Sequence, residues 1–94
     1  MTPLSDSEIE QRMTDVPDWQ STGEESIVRD LTFADFLEAI AFVDEVAEIA
    51  EAANHHPDIL VHGWNKVRLT LSTHSEGGLT DADFKLASEI DRIA

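Results

Sequence analysis

Hydrophobic and polar residues alternate cleanly along one stretch of the chain. Between Lys66 and Thr73, Val67, Leu69 and Leu71 are apolar, while Lys66, Arg68, Thr70 and Ser72 are polar. A period of two belongs to a strand that buries one face and wets the other. Asp58 to His62 reads as a second strand, meeting the first near Gly63-Trp64-Asn65. Earlier in the chain, Trp19 to Thr22 and Ser26 to Leu31 read as two more strands, with Gly23-Glu24-Glu25 as the turn between them.

Elsewhere the period lengthens to that of a helix. Ser5-Asp-Ser-Glu8 has the form of a capping box and opens a short helix to Arg12 or Met13. Asp15-Val-Pro17-Asp breaks it. Thr32-Phe-Ala-Asp35 resembles another capping box and opens a long helix to about Ala53, before His-His-Pro ends it. Thr80-Asp-Ala-Asp83 is a third box, opening a last helix in which Phe84, Ala87, Ile90 and Ala94 share a face. The order α-β-β-α-β-β-α predicts an α+β fold, a four-stranded antiparallel sheet with three helices packed on one face. One domain spans residues 1–94, with no repeats.

The long middle helix is apolar over too much of its circumference. Phe33, Phe36, Ile40, Val43, Ala47 and Ala50 form one stripe, and Phe42, Val46, Ile49 and Ala53 form another beside it. Together they cover an arc of roughly 200°. A single sheet seldom covers so much, so the expectation is a homodimer or homotetramer, against the alternative that the N-terminal helix provides the cover.

Charge narrows the partners. Twenty acidic residues face six basic ones, a net charge of −14. Such a field repels phosphate backbones, so direct nucleic-acid binding is not expected. With only two lysines, Lys66 and Lys85, the acidity also fits a protein whose stability rises in molar salt. The absence of cysteine excludes disulfides and thiolate chemistry. The first residues lack the basic and apolar regions of a secretory signal, and no apolar run is long enough for a membrane span, so a cytoplasmic protein is expected.

The candidate chemistry lies in Glu51-Ala-Ala-Asn-His55-His56-Pro57, with Trp64, Thr73-His74 and Asp83 further on. Histidine is the side chain best suited to moving protons near neutral pH. Adjacent His55 and His56 point in different directions on any regular element, which disfavours shared metal ligation. A His55/His74/Asp83 metal site remains an alternative at this stage. Glu51 lies four residues before His55, one helical turn, and is expected to accept a hydrogen bond from that imidazole. Asp83 has two readings, helix cap and histidine partner, and they can coexist. Trp19 and Trp64 read as partly core, with an aromatic face available to stack on a flat heterocycle. His62 belongs to no motif.

These residues resemble the pterin-4a-carbinolamine dehydratase family. Its signature is an acidic residue followed after three spacers by His-His-Pro, an aromatic, a third histidine and a later aspartate. Here that reads Glu51, His55-His56-Pro57, Trp64, His74 and Asp83. The flanking Asn65-Lys-Val, Leu71-Ser-Thr and Gly78-Leu-Thr segments, and Trp19, also match, so the likeness covers nearly the whole chain. The resemblance implies a hydro-lyase that converts a 4a-hydroxytetrahydropterin to quinonoid dihydropterin plus water, within the recycling of a tetrahydrobiopterin-type cofactor. It implies a pterin substrate, a metabolic link to an aromatic amino acid hydroxylase, and no metal or cofactor. His55, His56, His74 and Asp83 would be catalytic, with His55 and His74 moving protons and His56 mainly holding the ring. Glu51, Pro57, Trp19, Thr73, Ser75 and Glu76 would line the substrate. The alternative is a non-catalytic pterin-binding or dimerisation module. Six residues separate Pro57 from Trp64, the longer spacing the signature allows, which implies a bulge or a longer turn in the hairpin.

Overall fold

The computed structural model describes residues 2–22 and 25–94. The expected turn at residues 23–25 therefore lies largely outside the described residues. Three helices, α1 (Asp6–Met13), α2 (Phe36–Ala53) and α3 (Asp81–Asp91), alternate with strands β1 (Gln20–Ser21), β2 (Ile27–Thr32), β3 (Asp58–His62) and β4 (Lys66–Leu71). A short 3-10 turn spans His74–Glu76. The sheet is antiparallel throughout, in the order β1-β2-β4-β3, so the fold class and element order are those expected.

The alternation along β4 sorts as read. Val67, Leu69 and Leu71 are fully buried against the helices, while Lys66 and Arg68 face water. From α1 only Ile9 is fully sequestered, with Leu4 and Met13 beside the core. Phe84, Leu86, Ala87 and Ile90 of α3 close the interior. Ala94, expected on that face, is exposed beyond the helix end. The Ser5–Glu8 capping box is present as read.

The start of α2 and the end of β4 differ from the sequence reading, and the β3–β4 hairpin takes one of the two forms expected. α2 is capped by Asp35, whose carboxylate accepts the Glu38 N–H at 2.8 Å, and Thr32 still belongs to β2. Sheet pairing decides this: Thr32 lies opposite Lys66, and the Phe33 N–H donates to the Asn65 carbonyl at 2.8 Å. β4 stops at Leu71, and Thr73 makes only an isolated bridge to Gly78. The β3–β4 connection is the longer turn rather than a bulge. His62 pairs directly with Lys66, and both Gly63 (φ 56°) and Trp64 (φ 58°) are left-handed.

The packing of α2 settles which part of its wide apolar arc faces the core. The buried positions are Ala39, Phe42, Val46 and Ala50, so the core takes Phe42 and Val46 of the second group together with Ala50 of the first. Phe36 of the first stripe is 50% exposed, and Leu37 beside it is 78% exposed. Side chains at 39, 42, 46 and 50 repeat at helical spacing and point into the core, Phe33 and Val43 pack beside them, and the Phe36 end of the first stripe is left toward solvent. Among the described residues no helix is long and apolar enough to cross a membrane.

Candidate active site

The site is built where α2 ends. Asn54 adopts the left-handed conformation (φ 51°), and the His55 N–H closes back on the Ala50 carbonyl at 3.1 Å. Asparagine tolerates that conformation better than most residues, and this closure is a common helix stop. The chain reverses there, and the two histidines part company.

His55 swings toward α3, where Nε2 meets Asp83 Oδ1 at 2.6 Å. Asp83 is completely buried. Its other oxygen accepts the Thr73 hydroxyl at 2.7 Å and the Thr80 N–H at 2.9 Å. The two readings of Asp83 are thus both realised, one on each carboxylate oxygen: it caps α3 and holds His55. Thr73 and Thr80 also touch each other, Oγ1 to Oγ1 at 2.9 Å. His56 instead turns over the end of α2, where its Nε2 lies 2.5 Å from Glu51 Oε1. The predicted Glu51–His55 pair is therefore replaced by Glu51–His56. The four-residue spacing presumed that the helix continued, and the left-handed Asn54 breaks it. Pro57 follows, keeping His56 in extended backbone.

His74 lies on the 3-10 turn, exposed, with Nδ1 3.5 Å from Ser72 Oγ. It lines a cavity of about 280 Å³ together with Asp58, Thr70 and Ser72. His55 lines a different cavity, about 510 Å³, with Ala52, Ala53, Ala82 and Leu86 forming much of its wall and Lys85 beside them. Thr73 directly precedes His74, and its hydroxyl bonds Asp83, so it connects the two through one peptide bond and one hydrogen bond. Ser75 is exposed and Glu76 half-buried on the same turn.

Both tryptophans fall away from the histidines. Trp19, expected against the ligand, is only 2% exposed, and its indole N–H donates to Asp91 at 2.8 Å. Arg29 bonds the same carboxylate, so Trp19, β2 and α3 are tied together in the core. Trp64 is 62% exposed at the hairpin tip, separated from Pro57 by the whole length of β3, about 17 Å. Neither ring is free to stack beside His55 within this chain. Among the described residues no three His, Asp or Glu side chains converge as a metal site would require.

Sequence reasoning missed Thr80 and Ser72 as neighbours of the site. Alternation would have found Ser72, two residues from His74. Thr80 was in view only as a helix cap.

The fold and site define a class: a small α+β domain with a histidine clamped to a buried carboxylate at the junction of two helices and a strand. The family model described as Pterin 4 alpha carbinolamine dehydratase matches residues 2–93, and the chain belongs to that family. A protein of Chloroflexus aggregans, provisionally named pterin-4-alpha-carbinolamine dehydratase, is 50% identical over 93 residues, covering 99% of this chain and 98% of its own. A similarly named protein of Nocardia farcinica is 52% identical over 91 residues, covering 97% of this chain and 94% of its own. Among solved structures, a transcriptional coactivator/pterin dehydratase from Brucella melitensis superposes with TM-score 0.91 at 37% identity, covering 99% of each chain. A pterin dehydratase-like protein described as a RuBisCO assembly factor in the alpha-carboxysome superposes with TM-score 0.69 at 25% identity, covering 82% of this chain and 89% of its own.

Proposed function

We propose that this protein dehydrates a 4a-hydroxytetrahydropterin to quinonoid dihydropterin by histidine acid/base catalysis, in the recycling of a tetrahydrobiopterin-type cofactor. The observation that carries the reading is His55 held at 2.6 Å by a fully buried carboxylate, in a chain of this family. A histidine fixed this way presents its second ring nitrogen in a set direction, as proton transfer requires.

In the reaction the C4a–O bond breaks and the departing hydroxyl takes a proton from one imidazole, leaving as water. A second imidazole takes the N5 proton as the C4a–N5 double bond forms. His55 and His74 fill these two roles, and His56, steadied by Glu51, holds the ring. Asp83 orients His55. Pro57, Ser75 and Glu76 line the substrate, while the Thr73 hydroxyl, spent on Asp83, contributes through that carboxylate. No metal or cofactor enters this scheme. The protein would act in the cytoplasm, without binding nucleic acid, on the pterin released by an aromatic amino acid hydroxylase. The half-exposed Phe36 and the exposed Leu37 support a homo-oligomer formed through the outer face of α2. Light scattering that shows only monomer at tens of micromolar would remove that part.

A second reading, a non-catalytic scaffold, draws on the relative described as a RuBisCO assembly factor and on the same apolar surface. Stopped-flow observation of enzymatically generated 4a-carbinolamine separates the two. The dehydratase reading expects loss of the intermediate well above the buffer rate. Loss at the buffer rate leaves the scaffold. His55→Ala and His74→Ala are each expected to cost at least ~10² in rate with folding preserved.

A further inference from the structure

The hydrogen bonds around Asp83 form a directed chain, and the direction has a chemical consequence. A carboxylate only accepts. Thr73 therefore spends its single hydroxyl proton on Asp83 Oδ2, at 2.7 Å. The 2.9 Å contact between the two threonine hydroxyls must then run from the Thr80 O–H to Thr73 Oγ1. The Thr80 N–H fills a second position on Asp83 Oδ2 at 2.9 Å. Both fixed donors enter the same oxygen, leaving Oδ1 for His55. With Asp83 ionised, Oδ1 can only accept, so the nitrogen it meets, Nε2 of His55, carries the ring proton.

The other nitrogen is left open. Among the described residues Nδ1 of His55 has no protein partner, and no buried side-chain nitrogen or oxygen lacks one. Nδ1 accordingly reaches solvent, on the ring that lines the 510 Å³ cavity.

We propose that Thr73 and Thr80 are positioning residues which, through Asp83, lock His55 as the Nε2–H tautomer and so make Nδ1 the nitrogen that exchanges protons with substrate. The catalytic half of this statement rests on the dehydratase reading; the tautomer does not. Thr73 donates its hydroxyl proton to Asp83 Oδ2, and Thr80 sets the rotamer of Thr73 by donating to it.

The experiment is long-range 1H–15N correlation of the histidine rings in the full-length 15N-labelled protein near neutral pH, without substrate. Wild type is expected to show His55 with a protonated Nε2 and an unprotonated Nδ1. Thr73→Val, which keeps the shape and removes the donor, is expected to give a mixture of tautomers and to lower kcat about tenfold with KM nearly unchanged. Thr73→Ser should restore both the tautomer and the rate, and Thr80→Val should give a weaker form of the Thr73→Val result. A wild-type His55 ring protonated on Nδ1 overturns the proposal without need of any variant. So does a folded Thr73→Val protein with wild-type tautomer and rate. If wild type shows the Nε2–H ring but dehydrates no carbinolamine, the dehydratase reading fails and the tautomer lock stands.

Discussion

His55 and His56 are neighbours in sequence and opposites in environment. Each presents Nε2 to a carboxylate, at 2.6 Å for His55–Asp83 and 2.5 Å for His56–Glu51. Their side-chain exposures are 16% and 0% in the first pair, 57% and 77% in the second. The first carboxylate also receives two further donors from Thr73 and Thr80 and cannot leave without orphaning them. The second is bathed in water, which replaces it at little cost. Equal distances thus conceal unequal roles. On the proposed dehydratase reading, the buried pair fixes a direction for proton transfer, and the exposed one steadies a side chain that must yield to an incoming ligand.

The sharpest way to break this comparison is to remove Asp83. In Asp83→Ala the Thr73 hydroxyl, the Thr80 N–H and the His55 ring N–H all lose their acceptor inside the protein. Leaving a buried donor without its acceptor costs about 1–3 kcal/mol, and here three donors lose theirs. Thermal unfolding is expected to fall by more than about 10 °C for a domain of this size, with dehydration down at least ~10²-fold below that transition. A variant that melts near wild type would mean that water enters and satisfies the donors, and the buried pair would then differ little from the exposed one.

Which histidine took which partner was not legible in the sequence, and the reason is local. The four-residue spacing from Glu51 to His55 presumes continuous helix, whereas Asn54 goes left-handed and moves His56 into reach of Glu51. The element order and the inward face of β4 were legible, because strict alternation over Lys66–Leu71 leaves no other face to bury. Asp83 was legible as a cap and as a histidine partner, with both roles able to coexist, but not in how they divide between its two oxygens. A capping box names the N–H that one oxygen meets and says nothing about the other oxygen. On α2 the apolar arc was so wide that periodicity alone did not choose which part faces the sheet. Ala39, small enough to sit flush on the core, settled it. Trp19 matched the family in position, yet its partner Asp91 is 72 residues away, a contact no local pattern encodes.

Removing Glu51 tests the other half of the comparison. Glu51→Gln is expected to change stability by no more than about 0.5 kcal/mol, since exposed pairs carry little. The kinetic signature should be a KM raised several-fold with kcat within about threefold of wild type, the mark of lost binding rather than lost chemistry. If kcat fell as it does without Asp83, His56 would belong with the proton-transfer groups, and the division between the two histidines would be wrong.

The smallest effect comes from a pair with no role in the site. On the outer sheet face Arg68 bonds Asp30 through two contacts, at 2.7 and 3.1 Å, with side chains 51% and 58% exposed. Hydrogen bonds from Arg68 hold the Asp30 carboxyl below its ordinary value of 3.8. A carboxyl whose folded pKa is depressed contributes stability above its unfolded pKa and loses it as pH falls through the folded value. The advantage of wild type over Arg68→Met should therefore be constant from neutral pH down to about pH 4 and fade below that. Half-exposed and open to salt, it should amount to a degree or two in Tm at low ionic strength and vanish at high salt. A larger or salt-resistant difference would show that exposure is a poor guide to what an ion pair does in this protein, and the contrast between His55 and His56 would then need another basis.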